Sequence, residues 1–416
     1  MAIAHLRECV ALLRTASVAP PTDSSRGSIG ERLVAAAFGR FGASERAARR
    51  VGGRGAAGIG DDRRRTRHRR DDREDPRMRF TVDPWDPSYG TGLDADAGDE
   101  AATSDASVDV AVELPADRWE PVAPDPRVRP PAATLFVDGV RRVDAQAWVD
   151  DGSADIGPGS STAALCASYA AGVVCCAGER AEPVAVTVAR SLLTSAAGAT
   201  DVVTPAGRYV AEVVPAGGGL APAQNLSLAL QGRLAAVEVD AAGRARTEAG
   251  TGDDDLLVVD GPLRGRQHLP RALGYVKTHR TRYLQRLQPE LDALVATLAP
   301  GERTPVFLLG TSWQRYTWYM RLPTGPGSPW AGVVRLECSA AQPPADAIAM
   351  AALSQVTLPR YASDGYKDSR APQNLYPIGG LERLLRRRLG DAGVIYRALR
   401  RAAWDTADTP VAVPVH

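Results

Sequence analysis

Two apolar runs in this chain end in the same dipeptide. Residues 135–139 read Leu-Phe-Val-Asp-Gly and residues 257–261 read Leu-Val-Val-Asp-Gly. Each reads as a buried strand that delivers a carboxylate at its C-terminal end, followed by a glycine turn. In open α/β sheets, ligands bind at that end of the strands. Two such strands can lie side by side and set Asp138 against Asp260. Carboxylates that close need a proton or a cation, and a hard divalent metal with oxygen ligands is the natural partner. Asp-Gly is also common at ordinary strand–turn junctions, so the pair alone does not assign a function.

The rest of the composition narrows the class. At 416 residues, 44% hydrophobic and 24% charged, the chain is globular, and its net charge of +1 points to no partner. Only Lys277 and Lys367 are lysines; the remaining basic residues are arginines. With so much Ala, Gly and Pro, that bias reads as genome composition rather than as a nucleic-acid signal. The five cysteines (Cys9, Cys166, Cys175, Cys176 and Cys338) form no C-x-x-C pair. They argue for reduced thiols in the cytoplasm and against structural zinc. The uncharged stretch 156–178 opens with Gly-Pro-Gly-Ser-Ser and is rich in small residues, which favours buried strands over a membrane helix.

Residues 1–77 differ from everything after them. Residues 43–77 are dominated by Gly, Ala, Arg and Asp, with Arg63, Arg64, Arg65, Arg67, Arg69 and Arg70 close together. No apolar period is present, so this part is expected to be disordered. A basic arm on nucleic acid is the functional alternative, and Met78 as the true start is the preferred reading. Residues 78–130 form an acidic, Pro-rich lead-in with one alternating strand near Val108–Leu114. The main domain is expected over 131–416.

Within it, strands are expected at 134–138, 143–149, 163–176, 184–188, 255–260, 305–309, 316–322 and 332–338. Helical spacing covers 222–243, 281–298 and 379–402. Strands come in a block and then alternate with helices, which argues for an α/β core with a mixed sheet. On the first helix Glu238 lies one step from the apolar face, and Glu248 is its rival in a Gly-rich turn. Glu337 ends the strand Gly-Val-Val-Arg-Leu-Glu as a further acid, equally suited to pairing with Arg335 or Arg321. Lys277 and His279 follow the Asp260 strand closely enough to hold a phosphate or move a proton. The aromatics of 316–322 suit either base stacking or core packing, and Arg386–Arg388 suit the solvated face of a helix.

Taken in order, these motifs resemble the NurA nuclease family. The series is an Asp-Gly strand, a helix carrying Glu, Val-Val-Asp-Gly-Pro-Leu, Gly-Tyr-Val-Lys-Thr-His-Arg, Trp-Tyr-Met-Arg-Leu, and Arg-Ala-Pro-Gln-Asn-Leu-Tyr-Pro-Ile at 370–378. The likeness covers roughly Pro131 to Asp391. It implies a ribonuclease-H-like core, manganese or magnesium, degradation of DNA ends in repair, a homodimer, and work beside a HerA-like ATPase. It also implies Asp138, Glu238 and Asp260 as metal ligands; Lys277, on its own chemistry, is the further catalytic candidate. Arg141, Arg142, His279, Arg370 and Asn374 are the candidate DNA contacts. One departure stands out: a His that family members often carry after a Tyr-Pro is absent here, where Gly-Gly-Leu-Glu follows Tyr376-Pro377. Glu382 and Asn374 are the candidates to stand in for it. The alternative to a nuclease is a catalytically silent subunit of the same kind that clamps DNA or scaffolds a translocase.

Overall fold

The structure is a computed structural model that describes residues 79–82, 106–150, 161–215, 219–277, 282–323, 330–364 and 371–407. The expectations for 1–77, and those for His279 and Arg370, fall outside the described residues. Strands are β1 (Arg79–Val82), β2 (Ser107–Asp109), β3 (Ala133–Asp150), β4 (Thr162–Ala177), β5 (Arg180–Thr194), β6 (Val202–Thr204) and β7 (Gly207–Val213). Helix α1 (Pro222–Ala249) follows, then β8 (Asp255–Asp260) and β9 (Ala272–Val276). After α2 (Tyr283–Leu287) and α3 (Pro289–Thr297) come β10 (Phe307–Gly310), β11 (Gln314–Arg321) and β12 (Val333–Ser339). Helices α4 (Pro344–Thr357), α5 (Tyr376–Leu389) and α6 (Ala392–Ala407) complete the described chain.

One large mixed sheet organises these elements, in the order β2-β10-β11-β12-β9-β8-β3-β4-β5-β7-β6, with β1 paired to the far end of β3. Its centre is β5-β4-β3-β8-β9. There β3, β4 and β5 form an antiparallel meander, whereas β8 and β9 run parallel to β3. Alternation along β3 decides what lies on each face. Leu135 and Val137 pack with Ala241, Ala242 and Ala245 of α1. Phe136 and Val140 point the other way, into a cluster with Ile378, Leu381 and Leu385 of α5. Each such buried Leu or Phe contributes about 1.5–3 kcal/mol.

Helix α1 shows why its glutamate matters. Its buried positions are Leu226, Leu230, Leu234, Glu238, Ala241, Ala242 and Ala245, a stripe at helical spacing. Glu238 therefore occupies the buried stripe itself, not a place beside it. The helix runs on to Ala249 and stops at Gly250, whose φ of 60° is the left-handed cap that glycine favours. Glu248 lies within this last turn, exposed and 3.7 Å from Arg244, so the turn expected there is helix and the residue is a surface charge.

Several sequence expectations change here. Asp138-Gly139 is no turn: β3 continues unbroken through it to Asp150, because Gly139 still pairs with Ala171 of β4. The two short strands expected at 134–138 and 143–149 are therefore one, with an irregularity between Val143 and Ala145. At β8 the turn does form, and Gly261 has a φ of 102°. The helix expected over 281–298 is two, divided at Gln288-Pro289, where proline lacks the N–H an uninterrupted helix needs. The region 379–402 likewise divides at Gly390. Trp318 and Tyr319 are fully buried and Tyr316 nearly so, which removes them as base-stacking platforms. The lead-in is part of the sheet: β2 pairs with β10, and Glu113 holds Arg303 by two hydrogen bonds of 2.7 and 2.9 Å. No helix among the described residues is long and apolar enough to cross a membrane.

Candidate functional site

Parallel register brings the two aspartates together. Val137 of β3 pairs with Val259 of β8, so Asp138 and Asp260 are the next residues on neighbouring strands. Beyond Asp260 the chain turns at Gly261, while β3 runs on. Lys277, just past β9, reaches back to this point. Its Nζ lies 2.7 Å from Asp260 Oδ2 and 3.1 Å from Asn374 Oδ1. Asn374 is buried, and its segment is fastened to β9 by the Tyr275 hydroxyl, which donates to the Gln373 carbonyl at 2.6 Å.

Asp138 is electrostatically exceptional. Burial and then the charge of Asp260 push its carboxyl up to about 8, against the lowering effects of Lys277 and of the Gly139 amide, which donates to Oδ1 at 2.8 Å. Glu382, on α5, adds to the upward push. Glu382 also pairs with Arg386 one turn on, at 2.9 Å. It is thus both a helix-surface ion pair and a charge felt by the site. Asn374 shares the Lys277 ammonium with Asp260 and is the more intimate of the two candidates for the missing histidine's place.

Glu238 approaches β3 from α1, at Gly139. A Cβ there would strike Glu238 Oε1 and stand 2.7 Å from Leu234 Cδ1, so this glycine is required by close approach rather than by backbone conformation. Glu238 forms an ion pair with Arg266, from the loop after β8. Burial holds the Arg266 guanidinium below its usual pKa, and the charge of Asp138 opposes that effect.

The remaining candidates go elsewhere. Glu337 is fully buried; it accepts from Arg315 Nε at 3.0 Å and from the Leu263 amide at 2.6 Å, with Arg335 at 3.6 Å. Arg321 instead donates to the carbonyls of Leu298, Ala331 and Ala296. Glu337 is therefore a structural anchor for the loop that carries Arg266. Arg142 donates to Asp144 at 2.7 Å and to the Gly390 carbonyl at 2.8 Å, capping the end of α5. Arg141 is half-buried on β3. Sequence reasoning missed Arg266, since an arginine in a Gly-Pro-Leu-Arg-Gly-Arg loop carries no sign of being turned inward. It also read Gly139 as a turn residue.

Among the described residues, no three His, Cys, Asp or Glu side chains converge as a ready metal group. Glu238 is directed onto Arg266 and Asp260 onto Lys277. The donor chemistry still fits a hard divalent cation. Asp138 and Asp260 offer oxygen donors at neighbouring strand positions, and the charge of Asp260 is, after burial, a cause of the raised Asp138 carboxyl.

Gly139→Ala tests the placement of Glu238. The added methyl meets the ends of two flexible side chains, so the melting temperature should fall by no more than a few degrees. A larger fall would show that Glu238 and Leu234 cannot yield at this contact.

Residues 238–376 match the family model described as NurA domain. Among solved structures, the crystal structure of the NurA nuclease from Sulfolobus solfataricus is similar, at 10% identity and a TM-score of 0.37, over 68% of this chain and 88% of that one. No curated protein matches.

Proposed function

From the premise that the chain carries a NurA domain, we propose that it is a metal-dependent DNA nuclease that processes ends or single strands in repair. The observation that supports this most is the pairing of Asp138 and Asp260 at adjacent parallel strand positions, with Lys277 and Asn374 beside Asp260 and Glu238 reaching β3 at Gly139. The sheet order β5-β4-β3-β8-β9, with α1 between the antiparallel and parallel parts, supports a ribonuclease-H-like core. Work in the cytoplasm, as a homodimer beside a HerA-like ATPase, belongs to the same proposal and follows from the family alone.

Asp138, Asp260 and Glu238 would hold manganese or magnesium. When bound, the cation supplies a nucleophilic water at neutral pH and stabilises the charge that develops on the phosphodiester. Lys277 fixes the Asp260 carboxylate in orientation. Asn374 accepts from the same ammonium through Oδ1 and so helps to hold Lys277 in place. The walls built by Phe136, Val140 and the α5 leucines keep the surroundings apolar, which strengthens each of these interactions.

The second reading, a silent DNA-clamping subunit, draws support from the diversion of Glu238 onto Arg266 and from the absent histidine. Cleavage of an end-labelled DNA strand by the full chain, with and without manganese, separates the two. Metal-dependent cutting supports the nuclease; binding without cutting supports the clamp. Glu382→Gln should change the rate only severalfold, since Glu382 is already paired with Arg386. A hundredfold loss would instead make it the acid or base that replaces the histidine.

A further inference from the structure

The loop after β8 turns one arginine inward. Arg264, Gly265, Gln267 and His268 are exposed, whereas the Arg266 side chain is only 13% exposed. The turn is held firmly. The Arg266 amide donates to the Leu263 carbonyl at 2.8 Å, and the Leu269 amide to the Arg266 carbonyl at 3.0 Å. Leu263 is buried against α1, and its amide is anchored on Glu337. The backbone that carries the guanidinium is thus fixed by the turn. Its Nη1 donates to the Pro262 carbonyl at 3.1 Å and its Nη2 to Glu238. Its Nε is buried and has no hydrogen-bond partner, although a buried N–H is normally satisfied. Asp138 is near enough for its charge to act on this group.

This is an arginine poised at a cluster of carboxylates, with its bidentate edge half occupied. A planar guanidinium fork matches a phosphodiester as well as it matches a carboxylate. Resting on the nuclease reading, we propose that Arg266 is a substrate-contacting catalytic residue. It holds Glu238 when no strand is bound, and it takes the scissile phosphate through its Nε–Nη2 edge when a strand enters. The exchange releases the Glu238 carboxylate to the site at the moment the substrate arrives. It also accounts for the lack of a three-carboxylate group among the described residues. Lys277 does not fill this role, because its ammonium is already shared between Asp260 and Asn374.

The test uses the full chain, a short single-stranded DNA, calcium for binding and manganese for cleavage. Arg266→Gln should cut about 10²–10³-fold more slowly, as when a positioned donor is removed. Its strand binding should weaken about tenfold, with the slope of log K on log salt falling by about 0.7, one phosphate contact on a single strand. Arg266→Lys should keep the salt slope, since the charge remains, but not the rate, since the fork is lost. If Arg266→Gln unfolds, the Glu238→Gln/Arg266→Gln pair removes both buried charges and carries the binding measurement instead. Loss of rate with strand affinity and salt slope unchanged would reduce Arg266 to a positioning residue for Glu238 and overturn the proposal. Wild-type rates in Arg266→Gln would overturn it while leaving the nuclease reading intact. A wild-type chain that neither binds nor cuts DNA removes the nuclease reading, and the role of Arg266 falls with it.

Discussion

Asp138→Asn should abolish cleavage and at the same time make the metal-free protein more stable. The first effect follows from removing a ligand charge at constant shape. The second follows from linkage. The Asp138 carboxyl is raised from 3.8 to about 8 by burial and by Asp260. A carboxyl raised in the folded state contributes stability that is fully present below its unfolded pKa and is lost as pH rises through the folded one. The wild-type melting temperature should therefore decline between about pH 4 and pH 8 in the presence of a chelator, and Asp138→Asn should flatten that decline. At pH 8 the variant should be more stable by on the order of 1–3 kcal/mol. A divalent cation should restore the wild type and leave the variant unmoved. Thermal melts across pH with chelator or manganese read all of this. A variant less stable than wild type at pH 8 would mean that Asp138 is adequately paired and is not held under charge stress for a cation.

Arg315→Met should be the most damaging single change to the fold. Its guanidinium is buried, and it donates to Glu337, which has 0% exposure, at 3.0 Å. Removing it leaves a buried carboxylate with one backbone amide and Arg335 at 3.6 Å. Breaking a buried pair from one side costs about 3–5 kcal/mol, whereas replacing both partners by apolar groups of similar size is often close to neutral. The double variant Arg315→Met/Glu337→Met should thus recover much of the loss in a denaturant titration. Because the Leu263 amide hangs on Glu337, the double variant should also loosen the loop bearing Arg266 and lower any strand affinity that Arg266 supplies. A single variant that unfolds at the wild-type midpoint would show that the pair bears no load.

The two Asp-Gly strands were readable because parallel buried strands are continuous apolar runs, and Asp138 and Asp260 each end one. Nothing local distinguishes the two dipeptides. Gly261 takes a positive φ, whereas Gly139 is extended and exists to admit Glu238, a contact made from 99 residues away along the chain. Glu238 itself was visible as a helix carboxylate, yet its depth was not. Its burial depends on how closely the Ala-rich second half of α1 settles onto β3, which only packing decides. The break at Pro289 and the register of β7 and β9 were lost for another reason: short strands such as Ala-Leu-Gly-Tyr-Val carry too few residues to show a period. The charged anchors Arg142–Asp144, Arg315–Glu337 and Arg303–Glu113 were invisible as pairs, because partners 2 to 190 residues apart leave no common spacing. In a chain with this many arginines, only the fold separates those that tie loops together from the one turned toward the carboxylates.

The claim that Asp138 and Asp260 together hold the cation for cleavage has a direct measurement. An end-labelled DNA strand is incubated with the full chain, with Asp260→Asn and with Asp138→Asn, each in manganese and in chelator. Cutting by the wild type in manganese alone, with both variants reduced at least a thousandfold and still folded, is the expected result. Cutting that survives the chelator, or that persists in either asparagine variant, would contradict the assignment of the site.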